Sequence, residues 1–151
     1  MRLLVNLVCR DIVAQAVFYG RVLDAAEAES KRSPIYRALA VGTAELGFNA
    51  PAARALLGLA ERHRTPVDGA DAPPPVTAYP TFELGSPEAV EAAVARVEAA
   101  GGRLVKPCFA TYYGQWQAVA EDPEQNVFRL AAASLPSGVE RPRLDDALSP
   151  A

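Results

Sequence analysis

The chain has 151 residues, 50% hydrophobic and 22% charged, a balance that suits one folded domain or two half-size modules and excludes a disordered chain. Its net charge of −3 argues against a partner with a phosphate backbone, so no nucleic-acid role is expected. No apolar run approaches the ~20 residues that cross a bilayer, and residues 1–11 are interrupted too soon for a signal peptide, so no membrane role is expected.

Residues 2–9 read as a strand with Leu3, Val5, Leu7 and Cys9 on one face and Leu4, Asn6 and Val8 on the other. Asp11 is placed as an N-cap, and residues 12–23 carry Val13, Val17, Phe18 and Val22 as a helical stripe. Short strands are expected around 26–30, 35–41 and 43–49, with Gly42 at a tight turn. A short surface helix is expected over 51–62, in which the basic run Glu61-Arg62-His63-Arg64 reads as a solvated helix end. Residues 65–75, with Pro66, Pro73, Pro74 and Pro75, can hold neither helix nor ladder and mark the boundary.

The first pattern then returns. Residues 76–84 read as a strand, Ser86-Pro87 as an N-cap with proline at the first helical position, and Ala89, Val90, Ala93, Val94, Val97 and Ala100 as the stripe of a helix ended by Gly101-Gly102. Strands follow at 103–108, 115–121 and 126–132, and a loosely ordered tail at 133–151. The predicted fold class is α+β: two paired βαβββ modules, 1–49 and 76–132, joined by the linker 50–75, their mixed sheets curving into a cup. A concavity of that kind would hold a small-molecule ligand.

On these residues the chain resembles the vicinal oxygen chelate superfamily, which includes glyoxalase I, bleomycin-resistance proteins, fosfomycin-resistance enzymes and extradiol dioxygenases. The resemblance runs from Leu3 to Ala132. It rests on Val8-Cys9-Arg10-Asp11 entering the first helix, on Phe18-Tyr19 and Leu23, and on Tyr79-Pro80-Thr81-Phe82-Glu83-Leu84 opening the second half. Its strongest mark is Glu121-Asp122-Pro123-Glu124-Gln125-Asn126-Val127-Phe128-Arg129-Leu130, similar to the family's Asp-Pro-x-Gly-Asn turn, with Gln125 where the family prefers glycine. The resemblance implies four ligand points for a divalent ion, which fall here on Leu4 (or Asn6), Gly47, Tyr79 and Arg129. Leucine and glycine cannot coordinate, tyrosine is an uncommon ligand and arginine repels a cation, so no metal and no other cofactor is expected. The one histidine, His63, falls in the linker region and reads as a surface residue. Glu45 and Glu83 leave room only for a weak carboxylate site. Family members are frequently dimers, which implies a homodimer.

Strand alternation nominates a lining. Phe128 and Leu130 suit a helix-covered core, leaving Val127, Arg129 and Ala131 for the cup. Phe82 and Leu84 likewise leave Tyr79, Thr81 and Glu83 for it, and Asn6 shares its face with Leu4 and Val8. An inward arginine needs an anion, either Glu83 or a ligand group. In Thr111-Tyr112-Tyr113-Gly114-Gln115-Trp116-Gln117, either Trp116 and Ala118 or Gln115 and Gln117 face inward; the glutamines are favoured, with Tyr113 alongside. Phe48 and Tyr36 either add to the wall or pack against a helix.

A Cys–His nucleophile requires Cys9 or Cys108 to meet His63, and Cys9 reads as a buried small hydrophobe. Two cysteines give neither a disulfide framework nor zinc spacing, so reduced thiols in the cytoplasm are expected. The expected function is metal-independent binding of a small anionic or aromatic molecule, as in bleomycin-resistance proteins. The alternative is a metal-independent lyase, isomerase or glyoxalase-like enzyme with Glu83 as its base. A partner-binding module with a collapsed cup is the third reading.

Overall fold

The structure, a computed structural model, describes residues 4–57, 59, 76 and 78–148. The chain forms two compact units, Met1–Pro75 and Val76–Ala151. It is α+β, with an open mixed sheet in each unit. No helix among the described residues is long and apolar enough to cross a membrane.

In the first unit, β1 (Leu4–Val8) leads into α1 (Ile12–Leu23), followed by β2 (Tyr36–Val41), β3 (Ala44–Asn49) and the four-residue α2 (Ala53–Leu56). The sheet order is β1-β3-β2, with β1 parallel and β2 antiparallel to β3. The Asp11 carboxylate starts α1 by accepting from the Val13 and Ala14 amides at 3.0 and 2.9 Å, satisfying two donors that the first turn leaves orphaned. The helix lays Tyr19 on Phe48, rings stacked at 5.5 Å, and buries Val22, Leu39 and Leu46 beside them. Each such side chain contributes about 1.5–3 kcal/mol through burial, which fixes which face of the sheet turns inward.

The strand expected at 26–30 is not one. Glu27 makes a single bridge to Leu39, and the chain then turns into a 3-10 helix over Glu29–Lys31. Ala26-Glu27-Ala28 lacks β-branched residues. Arg32 draws the segment into a turn instead, bonding Glu27 at 2.8 and 2.7 Å and Glu29 at 3.1 Å. The helix expected over 51–62 is confined, among the described residues, to α2, and His63 lies outside them.

The second unit contains β4 (Thr81–Leu84), α3 (Pro87–Ala99), β5 (Arg103–Ala110), β6 (Trp116–Glu121), β7 (Val127–Ala132) and, in the tail, α4 (Leu144–Leu148). The order is β4-β7-β6-β5, with β4 parallel to β7 and the other pairs antiparallel. As in the first unit, the opening strand lies parallel beside the closing one. The opening strand is shorter than the expected 76–84: Pro80 has no N–H for the ladder and contributes only its carbonyl, which accepts from the Arg129 amide at 3.0 Å. Ser86 caps α3 by accepting from Ala89 N at 3.2 Å. Below the helix, Val90, Ala93 and Val97 are buried, as are Phe82, Ala118, Ala120, Phe128 and Leu130 of the sheet. Edge strand β5 carries two register shifts and Pro107, devices that discourage pairing with another chain.

The β6–β7 turn is organised by Asp122, 3% exposed. One carboxylate oxygen accepts from the Glu124 and Asn126 amides at 2.8 and 2.9 Å, and the other from the Asn126 side chain at 2.8 Å. Gln125 is thereby held at φ 67°, in the left-handed region that favours glycine. Gln125→Gly should raise stability by about 1 kcal/mol, read from chemical denaturation. A loss of stability would show that the Gln125 side chain contributes more than its backbone strain costs.

Candidate functional site

In the second unit, register divides the sheet into two faces. Phe82, Phe128, Leu130, Ala118 and Ala120 share one with Trp116, the apolar side that α3 covers. Thr81, Glu83, Arg129, Ala131, Gln117 and Val119 share the other. The two-residue alternation of β7 decides this, since burying Phe128 and Leu130 leaves Arg129 no other direction.

On that second face five of the nominated residues, Tyr79, Thr81, Tyr113, Gln115 and Gln117, gather around a sixth, Arg129. Its Nε donates to Thr81 Oγ1 at 3.1 Å. Its Nη1 donates to the Tyr113 hydroxyl at 3.3 Å and, more weakly, to Gln117 Oε1 at 3.5 Å. The Tyr79 ring lies under the guanidinium, 5.4 Å from Cζ to the ring centroid. Gln117, 1% exposed, reaches from its amide nitrogen to Tyr113 at 3.0 Å and to Gln115 Oε1 at 2.7 Å. Tyr79 and Tyr113 remain half exposed.

Glu83 lies on the same face but does not pair with Arg129. It is exposed, and no carboxylate among the described residues comes within ion-pair distance of the guanidinium. Two nominations need correction. Trp116 faces the helix side, where its Nε1 is buried without a partner among the described residues. Phe48 is in the core of the first unit, stacked on Tyr19, because it alternates with Gly47 along β3.

Asn6, Gly47, Glu45, Asn49, Tyr36 and Ala38 share the other face of the first unit's sheet. Asn6 Oδ1 accepts from Asn49 Nδ2 at 3.2 Å. Glu45, 3% exposed, accepts from the Tyr36 hydroxyl at 2.9 Å and pairs with Lys31. Lys31 was not foreseen, since its segment was assigned no role. Thr111 was also missed: its hydroxyl accepts from Gln115 N at 2.8 Å and donates to Gln115 O at 3.1 Å, locking the loop that presents Tyr113 and Gln115. A threonine four residues before the glutamine, with Gly114 at φ 90° between them, is the readable signal of such a turn.

The glyoxalase-like domain family matches residues 3–131. The chain belongs to that family, within the vicinal oxygen chelate superfamily. A glyoxalase/bleomycin resistance protein/dioxygenase family enzyme from Burkholderia phytofirmans PsJN is 40% identical, with TM-score 0.77 over 86% of this chain and 96% of that one. A lactoylglutathione lyase from Agrobacterium tumefaciens, 16% identical, has TM-score 0.59 over 86% and 91% of the two chains. A genomically encoded fosfomycin resistance protein from Listeria monocytogenes, also 16% identical, has TM-score 0.59 over 87% and 91%. The last two likenesses concern the fold alone. No curated protein matches the chain.

The residues at the family's ligand points do not fit a divalent ion. Leu4 has no donor atom, and Asn6 is engaged with Asn49. Gly47 has no side chain, and a Cβ there would lie 2.3 Å from Asn6 Oδ1 and 2.6 Å from the Tyr36 hydroxyl oxygen. At the last point a guanidinium replaces a Lewis base. Among the described residues no group of three or more His, Cys, Asp or Glu could hold a metal. Of the thiols, Cys9 is buried, and burial together with the nearby Glu91 charge pushes the Cys108 thiol above the ordinary cysteine value.

Added zinc, nickel, manganese or iron should therefore leave the melting temperature unchanged beyond weak surface binding; a stoichiometric metal found by elemental analysis overturns this. Alkylation of Cys108 by iodoacetamide at neutral pH should be slower than that of a free cysteine and rise only at clearly alkaline pH, followed by mass spectrometry. Fast labelling at pH 7 would show the thiolate to be stabilised instead.

Proposed function

We propose that this chain binds a small organic molecule, anionic or aromatic in character, on the Arg129 face of its second sheet, without a metal ion. One observation carries the reading. The guanidinium is held by a hydroxyl, a phenol and an amide, all neutral, with no carboxylate among the described residues at ion-pair distance. A cation placed by neutral acceptors keeps its charge for an incoming anion, whereas one paired to an acid has spent it. Tyr79 and Tyr113 add half-exposed aromatic surface for a planar group.

A second reading keeps one supporting observation. Glu83 is exposed on the same face, two residues from Thr81 and opposite Ala131 in the ladder. A carboxylate there could take a carbon-bound proton while Arg129 steadied the developing anion, the arrangement of a metal-independent lyase or isomerase.

A thermal-shift and calorimetric screen of aromatic acids tests the first reading. Arg129→Ala should weaken binding at least about tenfold, the loss expected for one charge-assisted hydrogen bond, while circular dichroism stays unchanged. Unchanged affinity would make Arg129 structural. Turnover in a glyoxalase assay that disappears in Glu83→Gln would replace the binding reading by the enzymatic one.

A further inference from the structure

We infer that Gln115 is a specificity-determining residue, which makes the site select organic acids carrying a second hydrogen-bond acceptor beside the acid group and reject those carrying a donor there. This rests on the reading of Arg129 as the anion anchor.

The argument is an inventory of hydrogens. Arg129 can only donate, so the Gln117 atom facing its Nη1 must be the amide oxygen; the reverse orientation would set N–H against N–H. The Gln117 nitrogen is then turned to Gln115, 2.7 Å away, and Gln115 must answer with its own oxygen. Polarity thus passes from the guanidinium through Gln117 to Gln115, whose NH2 is left as the outer end of the chain. Neither that nitrogen nor Arg129 Nη2 finds an acceptor among the described residues, and neither is sealed from solvent. Thr81 already accepts from Nε, so its remaining hydrogen is also available. The uncommitted hydrogens around the guanidinium are thus those of Gln115 Nε2, Arg129 Nη2 and Thr81 Oγ1.

The donors are fixed in place before a ligand arrives. The Gln115 backbone is bonded through both its N–H and its carbonyl to Thr111, which is 4% exposed, and its side chain is held by buried Gln117. A prearranged donor costs little ordering on binding. An ammonium or N–H group beside the ligand's acid would be set against the Gln115 NH2 and the guanidinium, and would leave the outward Gln115 hydrogens without an acceptor.

Three planar acids of similar shape test this by isothermal titration calorimetry on the full chain: picolinate, with a ring acceptor next to the carboxylate; benzoate, with neither; and pyrrole-2-carboxylate, with a ring donor. The expected order is picolinate tightest, by about three- to tenfold over benzoate, and pyrrole-2-carboxylate weakest. Gln115→Leu should erase the spread, bringing the three acids within about twofold of one another. Gln115→Glu, which presents an acceptor outward, should place pyrrole-2-carboxylate ahead of picolinate, and supplies the decision should the leucine variant melt early. Binding that depends on Arg129 but is equal for the three acids, or a preference that survives in both Gln115 variants, overturns the inference alone. No Arg129-dependent binding of any of the three overturns the anion-anchor reading with it.

Discussion

The guanidinium of Arg129 stands among neutral acceptors because β7 alternates without a break. Phe128 and Leu130 are fully buried on the side that α3 covers, and the residue between them must project to the opposite face. A one-residue slip would drive a permanent cation into an apolar core and expose two large side chains, so the register is strongly specified. The parallel pairing of β4 then brings Thr81 opposite Arg129, and the antiparallel pairing of β6 brings Gln117 onto the same face. The candidate site is thus a consequence of how the core is packed.

The two units treat charge on their polar faces differently. On the polar face of the first sheet, Glu45 is matched by Lys31 and the Tyr36 hydroxyl, so its charge is spent within the fold. On the polar face of the second sheet, the positive charge has hydrogen-bond partners but no counter-ion among the described residues. A paired buried acid stabilises a local arrangement, whereas a positioned, unneutralised guanidinium is chemically available. That contrast places the candidate site on the second unit. At the family's metal points, Gly47 is roofed by Asn6 and Tyr36, and Arg129 is itself positively charged.

Much of the architecture is legible in the residues. Asp11 and Ser86 announce the two helices, Gly101-Gly102 closes one of them, and the prolines of 65–75 mark where the pattern restarts. The segment 26–30 has little strand propensity, and it turns instead, with Arg32 bonded to Glu27 and Glu29, contacts that periodicity does not register. Trp116 and Phe48 were nominated as aromatic surface, yet an aromatic ring serves equally well as core. Only the neighbours brought by the fold, Ala132 paired opposite Trp116 and Tyr19 of α1 stacked on Phe48, separate the two uses.

The sequence by itself determined the family, the order of elements apart from the segment 26–30, and the poor match of the side chains at the family's metal points to a divalent ion. Those properties are local or additive: caps, periodicities and side-chain chemistry at single positions. The tertiary structure decided which nominated residues meet. It set Arg129 among Thr81, Tyr113 and Gln117 rather than on Glu83, and turned Gln117 rather than Trp116 to the polar face. Such contacts join residues up to 48 positions apart. They are fixed by strand register and by the loop that Thr111 locks, which no single segment of the chain specifies alone.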